Sequence, residues 1–330
     1  MPLLTVNEAI GQAIAEEMRR DSRVLIFGEG TATKHPELVS EFGSARVRNT
    51  PLAEGIIAGT AAGAAATGLR PIVDLLFAPF LCFAMDELVN SAGKLRYMSG
   101  GQFAFPMVAL AMTGGGWTVG AQHNHNLEAW FVHSPGLKVV MPSTPADFKG
   151  LMQAAIRDEN PVLFFVDLAL AFVPGEVPEG DVLVPLGQAA IRREGSDVTL
   201  VSYAKTVHTC LQAAETLAEE GISAEVLDLR TLKPLDTESI LRSVRKTGRL
   251  VVVHEAAAPC GVGAEVAALV AAEAFADLKA PVVRITGPDA PAPSSYPLEQ
   301  AFIPQPDAIS AAARRLVALG LPVSAPGSAG

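Results

Sequence analysis

Two short segments carry side chains suited to proton chemistry. Glu54 lies in Thr50-Pro-Leu-Ala-Glu54-Gly-Ile-Ile, between a proline turn and an apolar helical run. Read alone, it is either a first-turn glutamate interacting with the helix dipole or a carboxyl entering an apolar site. In the second case its pKa would rise and it could donate a proton near neutral pH. His123 and His125 stand in Gly120-Ala-Gln-His-Asn-His-Asn-Leu-Glu-Ala-Trp130, after the glycine run Gly114-Gly-Gly116, where backbone can approach a ligand closely. On a strand, an H-x-H pair would present both rings on one face, an arrangement that suits a metal ion. No third ligand stands at a suggestive spacing.

Alternating elements must position these residues. Thr5-Val-Asn-Glu8 is a capping box opening an amphipathic helix to about Arg20. A short buried strand at 24–27 ends in Gly28-Glu29-Gly30, and a small-residue helix at 55–69 leads into a strand at 71–77. A helix at 83–96, strands at 107–112 and 137–141, a helix opened by Thr144-Pro145 and a strand at 162–166 complete the first series. Residues 171–186 concentrate proline, glycine and acid and mark a junction, dividing the chain into domains at 1–188 and 189–330. Strands at 198–203, 226–229, 250–254 and 282–285 then alternate with helices at 206–220, 236–246, 261–277 and 306–319. The pattern predicts an α/β protein of two doubly wound domains, each a parallel sheet covered on both faces. Only the terminal SAPGSAG reads as disordered. Gly55, Gly59 and Gly63 recur every fourth residue, which predicts close packing against a neighbouring helix, within or between subunits.

Composition excludes several function classes. Hydrophobic residues make up 49% and charged residues 18% of the 330, enough for a large core. A mean hydropathy of +0.31 points to further burial at subunit contacts, helped by an alanine-rich composition. With a formal net charge of −10 and no block of Lys and Arg, the chain suits neither nucleic acid nor anionic lipid. Cys82, Cys210 and Cys260 lie far apart without metal-ligand spacing, as expected of thiols in a reducing cytosol. The N-terminal MPLLTVNEAI lacks a signal-peptide pattern, and the uncharged run at 55–69 is shorter than the roughly 20 residues a membrane span needs. A cytoplasmic protein is expected.

The run TPLAEGIIAGTAAGAAATGLRPIVDLLFAPF resembles the pyrimidine-binding segment of the β subunits of thiamine-diphosphate-dependent 2-oxo acid dehydrogenases, the pyruvate, branched-chain and acetoin dehydrogenase family. KLRYMSGGQF, GAQHNHNLEAWFVHSPGLKVVMPSTPADFKGL and AAIRDENPVLFF are similar to further parts of it. EVLDLRTLKPLD, SVRKTGRLVVVHEA and GVGAEVAALV resemble its C-terminal, transketolase-type domain, so that the likeness spans about residues 4 to 315. The resemblance implies an α₂β₂ heterotetramer in which the α subunit grips magnesium and the diphosphate while the β subunit binds the aminopyrimidine. This chain accordingly has neither a Gly-x-x-x-x-Gly-Lys loop nor the G-D-G…N-N stretch by which thiamine enzymes hold magnesium diphosphate. The implied activity is oxidative decarboxylation of a 2-oxo acid, pyruvate-like by preference, with acyl transfer to a lipoyl-bearing acyltransferase.

The resemblance also assigns residues. Glu54 matches the glutamate that hydrogen-bonds a pyrimidine nitrogen and so helps remove the thiazolium proton. Phe80 falls at the aromatic position stacked on that ring, a place that core packing alone would also explain. His123 matches the histidine reaching the 2-oxo acid and the acyl-transfer intermediate. Glu29, Glu54 and Asp86 are similar to acids lining a tunnel between two cofactors, and Glu29 and Asp86 equally fit solvated surface. Carbonyls of Met107, Ala155, Asp158 and Asn160 match a monovalent-cation loop, filled by potassium in the simplest case. The chain departs from the family at Gly30, at Asn124-His125 and at Thr113-Gly-Gly-Gly-Trp117, all on the implied substrate side. Two rivals remain: the C-terminal half of a split transketolase, whose histidine-bearing segments differ from GAQHNHNLEAW, and a non-catalytic scaffold subunit, which would have no use for Glu54, Phe80 and His123 together.

Overall fold

Thr5 opens the first long helix, Val6–Arg20, with both halves of the capping box: Glu8 N–H donates to Thr5 Oγ1 at 3.3 Å, and Thr5 N–H to Glu8 Oε2 at 2.7 Å. The buried face of this helix (Ile10, Ile14, Met18) shares a core with Phe148, Leu151 and Ile156 of the helix Pro145–Arg157. Thr144 caps that second helix by accepting the Asp147 N–H. These facts come from a computed structural model that describes residues 1–319; the expectation for the SAPGSAG tail lies outside the described residues.

Two sheets organise the chain. The first runs Thr231–Lys233, Lys138–Val140, Val162–Asp167, Val108–Thr113, Arg70–Phe77, Val24–Gly28, Val47–Asn49. Its last six strands are parallel and its first is antiparallel. Strand Val162–Asp167 is buried at every position, as a parallel strand covered on both faces must be. The second sheet runs Val283–Gly287, Leu250–Ala257, Val198–Ser202, Ala224–Asp228, Ala190–Arg193, with only the last strand antiparallel. The doubly wound α/β reading of both halves therefore holds.

The structure adds and corrects. Thr231–Lys233, which follows strand Ala224–Asp228 of the second sheet, crosses over to edge the first sheet beside Lys138–Val140. The single helix expected at 83–96 is instead a 3₁₀ turn Ala78–Ala84, a π-helix Asp86–Ala92 and a short α-helix Leu95–Met98. The wide turn is closed where Gly93 N–H reaches the carbonyl of Leu88 at 2.9 Å. A side chain at Gly93 would meet the Val89 carbonyl at 2.9 Å, so glycine is required there. The small-residue helix, Glu54–Ala66, uses two of its glycines inside the chain: Gly55 lies against the Phe83 carbonyl and Gly59 against the Glu87 carboxyl, while Gly63 is exposed. Among the described residues no helix is long and apolar enough to cross a membrane.

Candidate active site

The aromatic half of the site begins with a distortion in strand Arg70–Phe77. The register shifts between Asp74 and Phe77, and Leu76 adopts a left-handed φ of 59°. Asp74 Oδ1 accepts the Leu76 N–H at 3.0 Å and so holds a backbone conformation that leucine does not choose freely. Bulges of this kind re-aim the side chains beside them. Phe77 emerges edge-to-face with His123, ring centroids 4.9 Å apart at 90°. Phe80, on the 3₁₀ turn that follows, meets the same imidazole at 5.3 Å and 80°. His123 is thus gripped by two half-buried phenylalanines at the carboxyl ends of the strands, where open α/β sheets bind ligands.

His123 itself sits in a turn, not on a strand: the N–H groups of His123 and Asn124 both donate to the Gly120 carbonyl, at 3.1 and 3.0 Å. His125 is exposed and likewise lies outside any strand, so the shared face that a strand would give the two rings does not apply.

Glu54 is the first residue of its helix and half-buried, and its carboxyl makes no hydrogen bond or ion pair among the described residues. The Gly55 contact with the Phe83 carbonyl seats this helix end against the turn that bears Phe80. Nearby, Thr50 N–H donates to the Gly28 carbonyl at 3.0 Å and ties the Gly28-Glu29-Gly30 corner to the segment before Glu54. Glu29 Oε2 and Thr50 Oγ1 are buried there without a hydrogen-bond partner among the described residues. Asp86 is exposed and accepts from Asn90 at 2.6 Å; its neighbour Glu87 is the acid packed on Gly59.

The four loop carbonyls lie in a segment already rich in donors. Met107 O accepts Val162 N–H at 2.9 Å, Ala155 O accepts Asp158 N–H at 3.3 Å, and Asp158 O accepts the Arg70 guanidinium at 3.2 Å. Arg96 reaches the Asn160 side chain at 2.8 Å.

Composition and pattern gave no warning of four buried carboxylates where the two halves meet: Glu128, Asp167, Glu255 and Glu299, none more than 4% exposed. Glu255 Oε1 accepts Gly115 N–H at 2.5 Å. Glu299 Oε1 accepts both Thr118 N–H at 3.0 Å and Asn124 Nδ2 at 2.8 Å, and Glu128 accepts the Tyr203 hydroxyl at 2.7 Å. Burial above all, then the Asp167 charge beside it, pushes the Glu255 carboxyl up to about 8; burial raises Asp167 to about 6. In sequence, Glu255 and its neighbour His254 interrupt the otherwise apolar strand Leu250–Ala257.

An apolar cleft of about 650 Å³ runs beside the helix Glu54–Ala66, walled by Phe27, Pro51, Ile56, Ile57 and Thr60. None of Glu54, Phe80 and His123 lines it.

Residues 3–170 match the family of the transketolase pyrimidine binding domain, and residues 187–309 match that of the transketolase C-terminal domain. The 2-oxoisovalerate dehydrogenase subunit beta of Bacillus subtilis is 44% identical over 324 residues, 96% of this chain and 99% of the relative. The acetoin:2,6-dichlorophenolindophenol oxidoreductase subunit beta of Cupriavidus necator is 45% identical over 328 residues, 94% of this chain and 97% of the relative. Among solved structures, a split-gene transketolase described as an inactive β4 tetramer superposes with a TM-score of 0.80 at 26% identity, covering 96% of this chain and 99% of the other.

Proposed function

The chain belongs to the thiamine-dependent 2-oxo acid dehydrogenase β subunits, built from a transketolase pyrimidine-binding and a transketolase C-terminal domain, and on that premise we propose that it supplies half of an active site completed by an α subunit. The reaction proposed is oxidative decarboxylation of a pyruvate-like 2-oxo acid with acyl transfer to a lipoyl-bearing acyltransferase, in an α₂β₂ assembly in the cytoplasm. When bound, the cofactor supplies an electron sink for the carbanion left by loss of carbon dioxide. The observation that carries the reading is the convergence of Phe77, Phe80 and His123 beside the helix end that bears a free Glu54 carboxyl.

In this reading Glu54 holds a proton against a ring nitrogen of the aminopyrimidine, and Phe80 offers that ring an aromatic face. His123, its ring fixed by two aromatic contacts, moves a proton at the substrate carbonyl. Glu29, with one carboxylate oxygen buried and unpartnered, and Asp86, on the open surface, are proposed to relay protons between paired sites. The carbonyls of Met107, Ala155, Asp158 and Asn160 are proposed to share their second lone pairs with a potassium ion. The junction proposed at 171–186 separates the pyrimidine-binding half from the half that contributes Glu255 and Glu299.

The split-transketolase alternative is disfavoured by identity, 26% against 44–45% for the dehydrogenase relatives. Relatives named for 2-oxoisovalerate and for acetoin are almost equally similar, so identity does not sort the substrate. Co-expression with a genomically adjacent α-like chain, followed by assay of pyruvate, 2-oxoisovalerate, acetoin and sugar phosphates, tests the activity. Turnover of sugar phosphates alone would contradict it. Calorimetry on the chain without its partner tests the half-site: magnesium-dependent, micromolar binding of thiamine diphosphate would contradict a shared site.

A further inference from the structure

We propose that Glu299, from the C-terminal half, is a positioning residue for His123; the inference rests on the substrate-side role proposed for that histidine. One oxygen of this carboxylate, Oε1, accepts from both Thr118 N–H and Asn124 Nδ2, at 3.0 and 2.8 Å. Glu299 is 1% exposed and Asn124 likewise, so both bonds are shielded from water. The two donors flank the turn in which Gly120 O accepts the backbone N–H of His123. Thr118 holds a left-handed φ of 53°, an unfavourable conformation for threonine that persists only where its surroundings fix it. The same side closes on Gly120, whose position would bring a Cβ within 3.2 Å of Ser294.

The imidazole is therefore located from two directions. Phe77 and Phe80 hold its ring from the N-terminal half, while Glu299 holds the backbone beneath it from 175 residues away. The donors to Glu255 and Glu299, Gly115, Thr118 and Asn124, all come from the segment 113–124 that carries His123. Glu299 Oε2 has no hydrogen-bond partner among the described residues. A glutamine can therefore keep its carbonyl oxygen at the Oε1 position and place its amide nitrogen where no bond is lost.

The test uses the α/β complex and a double-mutant cycle. Glu299→Ala lowers kcat for 2-oxo acid decarboxylation by about 10²-fold, the order expected when a catalytic group is misplaced by an ångström. Thiazolium proton exchange stays at the wild-type rate, Glu299→Gln recovers most of the loss, and Glu299→Ala adds nothing on a His123→Ala background. Independently of activity, the ring-current shift that Phe77 and Phe80 impose on the His123 imidazole, read by NMR of histidine-labelled protein, collapses in Glu299→Ala and returns in Glu299→Gln. Multiplying losses in the cycle, or an unchanged imidazole shift in Glu299→Ala, would overturn the proposal. If His123→Ala itself leaves turnover intact, the catalytic reading of His123 fails, and the imidazole shift alone decides whether Glu299 positions it. Should Glu299→Ala not assemble, Asn124→Ala removes one of the two donors and is carried through the same cycle.

Discussion

Glu54 and Phe80 stand on elements that their own neighbouring residues position, whereas His123 stands on a turn held by Glu299, 175 and 181 residues away from its two donors. On the first side, a proline turn, an apolar helix and a strand ending in a bulge follow one another within residues 50–84. On the second, the glycine run passes between Asp167 and Glu255, and at Gly115 a Cβ would lie only 2.9 Å from Ile303. Local chemistry builds the cofactor side; the closure of one half of the chain on the other builds the substrate side. The two should therefore fail separately.

The largest effect belongs to the first side. Glu54→Gln keeps size and hydrogen bonding but cannot hold the proton, so turnover of the α/β complex should drop about 10²–10⁴-fold, roughly 3–5 kcal/mol of barrier. Steady-state decarboxylation checks it; full activity would remove Glu54 from the chemistry.

A matched pair of glycine substitutions separates the two sides. Gly59→Leu forces a side chain onto the Glu87 carboxyl, 3.2 Å from the Cβ position, and should destabilise the chain by about 1–3 kcal/mol. Gly116→Ala places a side chain at φ +123°, with its Cβ 2.8 Å from that of Ala169, for a cost of similar order, about 1–3 kcal/mol. Thermal melts read both costs. Only Gly116→Ala should also lower kcat while leaving thiazolium exchange intact, and the reverse pattern would break the comparison.

The pH dependence comes from the buried carboxylates. Folded Glu255 keeps its proton to about pH 8 against an ordinary value of 4.5, chiefly through burial, with Asp167 and Glu128 adding to the shift and Lys205 opposing it. Between those values the folded state binds more protons than the unfolded. The stabilising contribution is thus complete below pH 4.5 and declines as pH rises towards 8. Melts of wild type against Glu255→Gln should converge in acid and separate in alkali, with wild type losing stability faster. Parallel curves would show that Glu255 is ionised in the folded protein.

The smallest effect is a control on neither side. Thr144→Ala removes the cap on helix Pro145–Arg157 and should cost about 1 kcal/mol in a melt without changing kcat.

How far each side was legible follows the same division. The capping box at Thr5, the helix start at Thr144-Pro145 and the buried strands are fixed by residues a few positions apart, and they stand as the pattern predicts. The π-helix Asp86–Ala92 was not legible, because apolar spacing reports a helical face but not the width of its turns. Strand Thr231–Lys233 pairs with a strand some ninety positions earlier, a register no local pattern encodes. No sequence pattern singles out Glu128 or Glu299, which lie in short helices and are buried where the two halves meet. The Asp74–Leu76 distortion that aims Phe77 was not legible either, since the single Asp74 within the strand does not by itself specify a left-handed residue two positions on.

The central claim is that Glu54 acts on the cofactor and His123 on the substrate. Thiazolium proton exchange, followed by NMR in deuterated water on the α/β complex, tests it most directly. Glu54→Gln should slow exchange in parallel with turnover, while His123→Ala should exchange at the wild-type rate and yet fail at decarboxylation or acyl transfer. Equal slowing in both variants, or unaltered exchange in Glu54→Gln, would contradict the division of labour.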